Sequence, residues 1–321
     1  MYPARVCAGE TLEESNVPSE RYHLPIANRP PFAGGTTMNR TKNGTLLDDR
    51  DWSKLTRGEQ IRSLELDGYL VLPDLLTPDH IARLKAETAQ LNTVGLDYSV
   101  KQQTKGSVQF MGGAITDLIA HGPTVGFLSE LFGDDVVFMT YAYARSEPGH
   151  PGISFHTDGQ PYGSAIFGYE GSCPWLVRVL YYLDDLTEEV SPFRVVPRSH
   201  LSFHADNNPY KRYAAHPDQV MVTAKAGSAV LLNHKCWHGN FPNVGDRYRE
   251  MLAIAYRPGW AGPVEEKIAA WNPDDVEKLP ASVRPFFIDR NTRKWEFAGG
   301  NKPANMASDA PGISPSRWDK K

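Results

Sequence analysis

From Val136 onward the chain breaks into short runs rich in β-branched and aromatic residues, and no other feature restricts its fold as strongly. Runs at 136–144, 176–183, 193–196, 219–224, 228–234 and 251–256 are separated by clusters of Gly, Pro and Asp. Strands of this length, punctuated by turn residues, pack as a sandwich or jelly roll. Ahead of them the pattern is helical. Thr56-Arg57-Gly58-Glu59 is a capping box, and Ile61 and Leu64 open an apolar stripe behind it. Thr77-Pro78-Asp79 supplies a hydroxyl cap, a proline at the first helical position and an acid in the first turn, with Ile81, Leu84 and Leu91 on the buried side. Phe127, Leu128, Leu131 and Phe132 predict a third helix over 124–132, stopped by Gly133.

The expectation is a mainly β protein with flanking α-helices. Residues 1–55 read as an extended N-terminal arm, 56–260 as the β domain, and 261–321 as a polar C-terminal extension packing on or near the core. There is no internal repeat. The formal net charge of −4 gives no electrostatic case for nucleic acid or an anionic membrane. No apolar run approaches the ~18 residues that a membrane span needs. The N-terminus lacks the basic start and apolar stretch of a signal peptide. Three widely separated cysteines, Cys7, Cys173 and Cys236, make neither a disulfide framework nor a zinc site, and favour a reducing, cytoplasmic setting.

Within this frame, Ser154-Phe155-His156-Thr157-Asp158-Gly159 carries the first chemical signal. Side chains two apart leave the same face of a strand, so the His156 imidazole and Asp158 carboxylate project side by side. That is two-thirds of a 2-His-1-carboxylate triad, which holds non-haem Fe(II) with positions left open. A third ligand must come from a distant strand, and His238 stands out. Counting by twos back from it gives Cys236, His234, Leu232 and Val230, a largely apolar face. Eleven residues after His238 is Arg249, which, if buried, needs an anion, and a carboxylate matches its fork.

The order of these motifs resembles the phytanoyl-CoA dioxygenase-like family of Fe(II)/2-oxoglutarate-dependent oxygenases. The likeness covers roughly residues 60–257. It includes Asp67-Gly68-Tyr69-Leu70-Val71-Leu72-Pro73, Tyr182-Leu183-Asp184-Asp185-Leu186 and Val195-Val196-Pro197-Arg198-Ser199-His200. It implies a double-stranded β-helix (a cupin-like jelly roll), with His156, Asp158 and His238 as iron ligands and Arg249 on the distal carboxylate of 2-oxoglutarate. Asn240 stands where the family often has a small hydroxyl residue assisting that arginine, and Trp175 is the aromatic expected against the co-substrate. The family tends to have glycine where this chain has Arg198, and near Ser191. Dioxygen and a small organic molecule are the implied partners. The carboxylate at Asp158 argues for oxygenation, usually hydroxylation, over halogenation. No basic cluster marks a site for the phosphates of a CoA ester.

Other residues carry two readings. Tyr141, Tyr143, Tyr162, Phe167 and Trp237 either line a substrate pocket or pack the core. Arg178, alone in an apolar strand, requires either a structural carboxylate or an anionic substrate. His200 reads as a structural turn residue, and His234 and Cys236 as core or pocket wall. Lys101, Gln103 and Gln109 lie before and on a strand expected around Val108, and read as surface polarity or as facing the co-substrate. The competing functions are a cupin-like metal enzyme that does not use 2-oxoglutarate, and a non-catalytic binding protein on the same scaffold.

Overall fold

A computed structural model describes residues 38–96, 99–133, 135–156, 174–201, 215–259, 261 and 271–289. Among these the strands are, in chain order, β1 (Asn39–Arg40), β2 (Leu46–Asp48), β3 (Tyr69–Leu72), β4 (Val94–Leu96), β5 (Ser99–Gly106), β6 (Val136–Ser146) and β7 (Ile153–His156). They continue as β8 (Val177–Tyr182), β9 (Phe193–Val195), β10 (Val220–Val222), β11 (Ala229–Asn233), β12 (His238–Asn240) and β13 (Arg249–Pro258). The helices are α1 (Arg57–Arg62), α2 (Pro78–Thr88), α3 (Gly113–Asp117), α4 (Gly122–Phe132) and α5 (Pro273–Glu277). The strands form a six-stranded sheet, β1-β2-β10-β9-β12-β7, and a seven-stranded sheet, β3-β11-β8-β13-β6-β5-β4. Every pairing is antiparallel except β2 with β10. The fold is a mainly β jelly roll.

Period-two alternation sorts the large sheet into two unlike faces. One carries Tyr181, Tyr141, Tyr143, Leu252, Ile254 and Tyr256 and packs on the helices. Tyr181 donates to Thr124 Oγ1 at 2.8 Å and Tyr256 to the Ile119 carbonyl at 2.9 Å. The other face carries Arg178, Leu180, Tyr182, Arg249, Ala253, Ala255, Ala142, Ala144 and Ser146, matched by register across β8, β13 and β6. It looks at the small sheet, as the 2.6 Å contact between the Ser146 and Ser191 hydroxyls shows. The helices begin as their caps predict: Thr56 and Glu59 close the capping box of α1, and Thr77 caps α2 with Pro78 in its first turn. Glu87 of α2 accepts from the first backbone N–H groups of α3 (Ala114 and Ile115, 2.8 and 2.9 Å), clamping the two helices together.

Three sequence expectations change. Order begins before Thr56, because Leu46–Asp48 runs parallel to β10 and brings the buried Asp48 carboxylate to the Tyr69 hydroxyl at 2.6 Å. Val108 is not in a strand but in a 3₁₀ turn, Val108–Phe110, after β5 has ended at Gly106. The count by twos from His238 back to Val230 also fails. A turn after Asn233 carries the chain out of the large sheet and into the small one, so β11 and β12 are separate strands. After β13, the segment at 271–289 lays Trp271 and Phe287 on Phe138 (ring centroids 5.4 and 4.7 Å), and Asp289 pairs with the buried Arg257.

Four non-glycine residues among those described take left-handed backbone, Asp74, Ser107, Ser191 at φ 47° and Arg198 at φ 66°. The last two lie at or near places where the resembling family tends to have glycine, and the conformation costs about 1–2 kcal/mol each. Ser191 offsets part of it through Ser146, and Arg198 through its backbone N–H to Asp67 O at 2.9 Å. Gly68, at φ 88°, has no such latitude. A Cβ there would sit 2.6 Å from His200 Nδ1 and 2.7 Å from Cys236 Sγ. Gly68→Ala is therefore expected to destabilise the fold by about 2 kcal/mol or more, read as a lower urea midpoint. An unchanged midpoint would show that His200 and Cys236 yield freely.

Candidate active site

His156 ends β7 and His238 begins β12, and the two are direct cross-strand partners. Their ring centroids are 4.2 Å apart, close enough for one ring nitrogen of each to meet a single ion. Residues of the small sheet that flank them point the other way. Phe155, Val196 and Trp237 pack together on its outer face, and the Arg194 guanidinium lies 3.8 Å above the Phe155 ring. His238 is buried, and its Nδ1–H donates to the Cys236 carbonyl at 2.9 Å. That bond fixes the tautomer and leaves Nε2 with its lone pair, the arrangement a metal-binding imidazole requires. Gly152, at φ 89°, lets β7 close on β12, for a Cβ there would stand 2.7 Å from the Asn240 carbonyl oxygen.

Asn240 shares the inner face with His238, two residues along. Its amide donates to the Ser191 carbonyl at 3.2 Å, and it lies near the Tyr182 hydroxyl, which is buried without a hydrogen-bond partner among the described residues. Through Tyr182 the site reaches the large sheet, where the fully buried Arg249 guanidinium lies 5.4 Å from the Tyr182 ring centre. Burial raises the Tyr182 pKa, with the Arg249 charge and the Asn240 amide opposing. Arg249 stands in register with Ser146, and Ser146 with Gln102, whose Oε1 is buried without a hydrogen-bond partner among the described residues. His150, fully buried beside this group, accepts from the Gly152 N–H at 3.3 Å through Nδ1, which places its own proton on Nε2. Burial and the Arg249 charge push its pKa down to about 4, so it is neutral here.

The sequence candidates thus divide. His156, His238, Asn240 and Arg249 converge between the sheets. Asp158 and Tyr162 lie outside the described residues, as does Phe167; among the described residues no group of three His, Cys, Asp or Glu side chains could hold a metal. Tyr141 and Tyr143 are on the helix side: Tyr143 donates to Glu250 Oε1 at 2.7 Å, and both stand opposite in parity to Arg249. Trp237 is on the outer face of the small sheet. Trp175 packs with Met139, Leu176 and Ala255 at the end of β8 remote from Arg249, so the aromatic beside Arg249 is Tyr182 instead. His200 bonds the Glu65 carbonyl at 2.7 Å and His234 that of Leu176 at 3.0 Å, while the Cys236 thiol is buried among Val196 and Ser199 and pushed up to about 12. Gln102, Tyr182 and His150 were not singled out from sequence. For Gln102 the signal was parity with Ser146, which the expected strand at Val108 obscured.

The family model for phytanoyl-CoA dioxygenase (PhyH) matches residues 64–251. The chain belongs to the phytanoyl-CoA dioxygenase family. It is an Fe(II)- and 2-oxoglutarate-dependent dioxygenase, which sets aside a cupin-like enzyme without 2-oxoglutarate. Curated relatives include the dioxygenase trt7 of Aspergillus terreus, 24% identical over 61% of this chain and 71% of its own. The ectoine dioxygenase of Nocardia farcinica is 22% identical over 65% and 80%. Among solved structures, HygX from Streptomyces hygroscopicus with nickel, 2-oxoglutarate and hygromycin B bound superposes with a TM-score of 0.54 at 20% identity, covering 64% of this chain and 88% of that one. The epimerase SnoN in complex with Fe3+, alpha ketoglutarate and nogalamycin RO gives 0.54 at 17% identity, over 68% and 90%. No helix among the described residues is long and apolar enough to cross a membrane.

The neutral, buried His150 predicts an acid-sensitive fold. Its pKa is depressed in the folded chain from 6.5 to about 4, so as pH falls below 6.5 the unfolded chain takes up the proton first. Stability then declines until about pH 4, by about 3 kcal/mol from this group. Urea midpoints of His150→Asn measured over this range should fall less steeply than those of the wild type. Parallel slopes would remove His150 as the cause.

Proposed function

We propose that this family member hydroxylates an unactivated C–H bond of a small organic molecule, with His156, Asp158 and His238 holding the iron and Arg249 holding the distal carboxylate of 2-oxoglutarate. The observation that carries the reading is the direct pairing of His156 with His238 on the inner face of the small sheet, with a fully buried arginine across the interior. The side chains fit both groups. The two imidazoles offer nitrogen donors, one with its tautomer already set, and Asp158, two residues after His156 in the sequence, is the carboxylate assigned to complete the set. Arg249, Tyr182 and the His150 Nε2–H are neighbours whose donors suit one carboxylate, and Gln102 lies in register beside them through Ser146.

When bound, iron and 2-oxoglutarate supply the oxidation of a C–H bond by dioxygen, with succinate and carbon dioxide released. The protein's part is placement and exclusion of water. Arg249 fixes the far end of the co-substrate, so its other end is aimed at the histidine pair. Asn240, whose amide donates to the Ser191 carbonyl, stands near Tyr182 and takes the position of the hydroxyl residue that assists the arginine. The three cysteines, with Cys236 a buried free thiol, accord with a reducing, cytoplasmic location.

Anaerobic addition of Fe(II) and 2-oxoglutarate should give the weak visible charge-transfer band of the chelate. His156→Ala and His238→Ala should abolish it. Arg249→Ala should retain it but require about 100-fold more 2-oxoglutarate, the cost of leaving a buried carboxylate unpaired. A band undiminished in His156→Ala sinks the ligand assignment. Unchanged 2-oxoglutarate demand in Arg249→Ala sinks the anchor.

A further inference from the structure

The interior has two polar ends, and the proposed co-substrate site occupies one of them. Arg178 lies four residues before Tyr182 on β8, on the same face, which places it about 13 Å further along the barrel. Register sets it beside Ala255 of β13, and Ala255 beside Thr140 of β6. A guanidinium and a hydroxyl therefore flank an alanine, with their backbones about 10 Å apart across two strand spacings. Thr140 Oγ1 is buried and has no hydrogen-bond partner among the described residues. Arg178 is engaged within the fold, and it is its place that bears on substrate.

The direction of β12 puts the histidines between the two ends. His234 bonds the backbone of Leu176, at the Arg178 end, and Asn240 lies near Tyr182 at the other. His238 is two residues before Asn240, so it stands on the Arg178 side of the co-substrate floor. Between the ends, the large sheet presents Ala142 and Ala144 of β6 and Ala253 and Ala255 of β13 together with Leu180 and Met251, while the same strands turn Tyr141, Tyr143, Leu252 and Ile254 to the helices. The inner face there is apolar, and its four alanines are the places where it is lowest. Met139, Leu176 and Trp175 make an apolar wall around the far end, and the Lys235 ammonium lies 5.2 Å from the Trp175 ring centre. Lys235 itself is half-buried, and desolvation pushes its pKa down to about 8. The other buried cation at this end, Arg257, is matched by Asp289.

We propose that Arg178 and Thr140 form an anion subsite for the primary substrate, which is accordingly a carboxylate with an apolar body long enough to lie along the alanine floor and present a C–H bond to the histidine pair. The inference rests on the metal and co-substrate assignment above.

The full-length protein loaded anaerobically with Fe(II) and 2-oxoglutarate provides the test. Matched probes are decanoate with decanamide, and 3-phenylpropanoate with 3-phenylpropanamide. Each is scored by displacement of the charge-transfer band and by stimulated succinate release on admission of air. In the wild type at least one acid should act where its amide does not. Arg178→Gln should raise the half-saturating acid concentration at least tenfold, and Thr140→Val about threefold, while the band itself still forms. Equal responses to acid and amide in both pairs, nil included, overturn the inference, as does a preference that survives Arg178→Gln. Loss of the band in Arg178→Gln also overturns it, by making Arg178 a support of the metal site. Absence of a band in the wild type instead overturns the metal reading, and this inference with it.

Discussion

A guanidinium with no exposure to solvent organises this interior. Arg249 opens β13, the central strand of the large sheet by its contacts, and its side chain enters the space between the sheets. Burying such a charge costs several kcal/mol unless an anion and hydrogen bonds surround it. The neighbours reflect that demand: the Tyr182 ring lies beside it, His150 is kept neutral next to it, and Asn240, held by the Ser191 carbonyl, stands close to Tyr182. In the proposed assignment a co-substrate carboxylate meets that demand, which would link the stability of this end of the interior to co-substrate binding.

Much of this was legible in the sequence because the period of a strand is two. Tyr-Ala-Tyr-Ala-Arg-Ser over residues 141–146 and Leu-Ala-Ile-Ala-Tyr over 252–256 alternate large with small. Register then turns the large residues to the helices and the small ones inward. The same alternation contradicts the idea that Tyr141 and Tyr143 line a pocket, a distinction that needs the parity of Arg249 and not aromatic content. Parity misled once, between Asn233 and His238, where a turn hidden in an apolar-looking run moves the chain from one sheet to the other. Strand pairing can be read from composition only where a turn announces itself, and Asn233-His234-Lys235 carries neither Gly nor Pro. Nothing local in the sequence could show that Trp175 would stand at the end remote from Arg249, because that depends on the antiparallel register of β8 on β13.

The backbone strain lies around the same site. Ser191 supports both Ser146 and Asn240 from a left-handed conformation, and Gly152 allows the two histidine strands to meet. Arg198, in the turn preceding His200, holds its unusual φ against Asp67.

The most direct measurement is the position of the metal itself. Crystals grown anaerobically with Fe(II) and 2-oxoglutarate, recorded above and below the iron edge, give an anomalous difference map that shows iron alone. One peak between His156 and His238, about 2.0–2.2 Å from a ring nitrogen of each, with Asp158 as the third protein ligand and the co-substrate reaching Arg249, is the expected result. A peak bound by only one of these histidines, or iron held elsewhere in the chain, would contradict it.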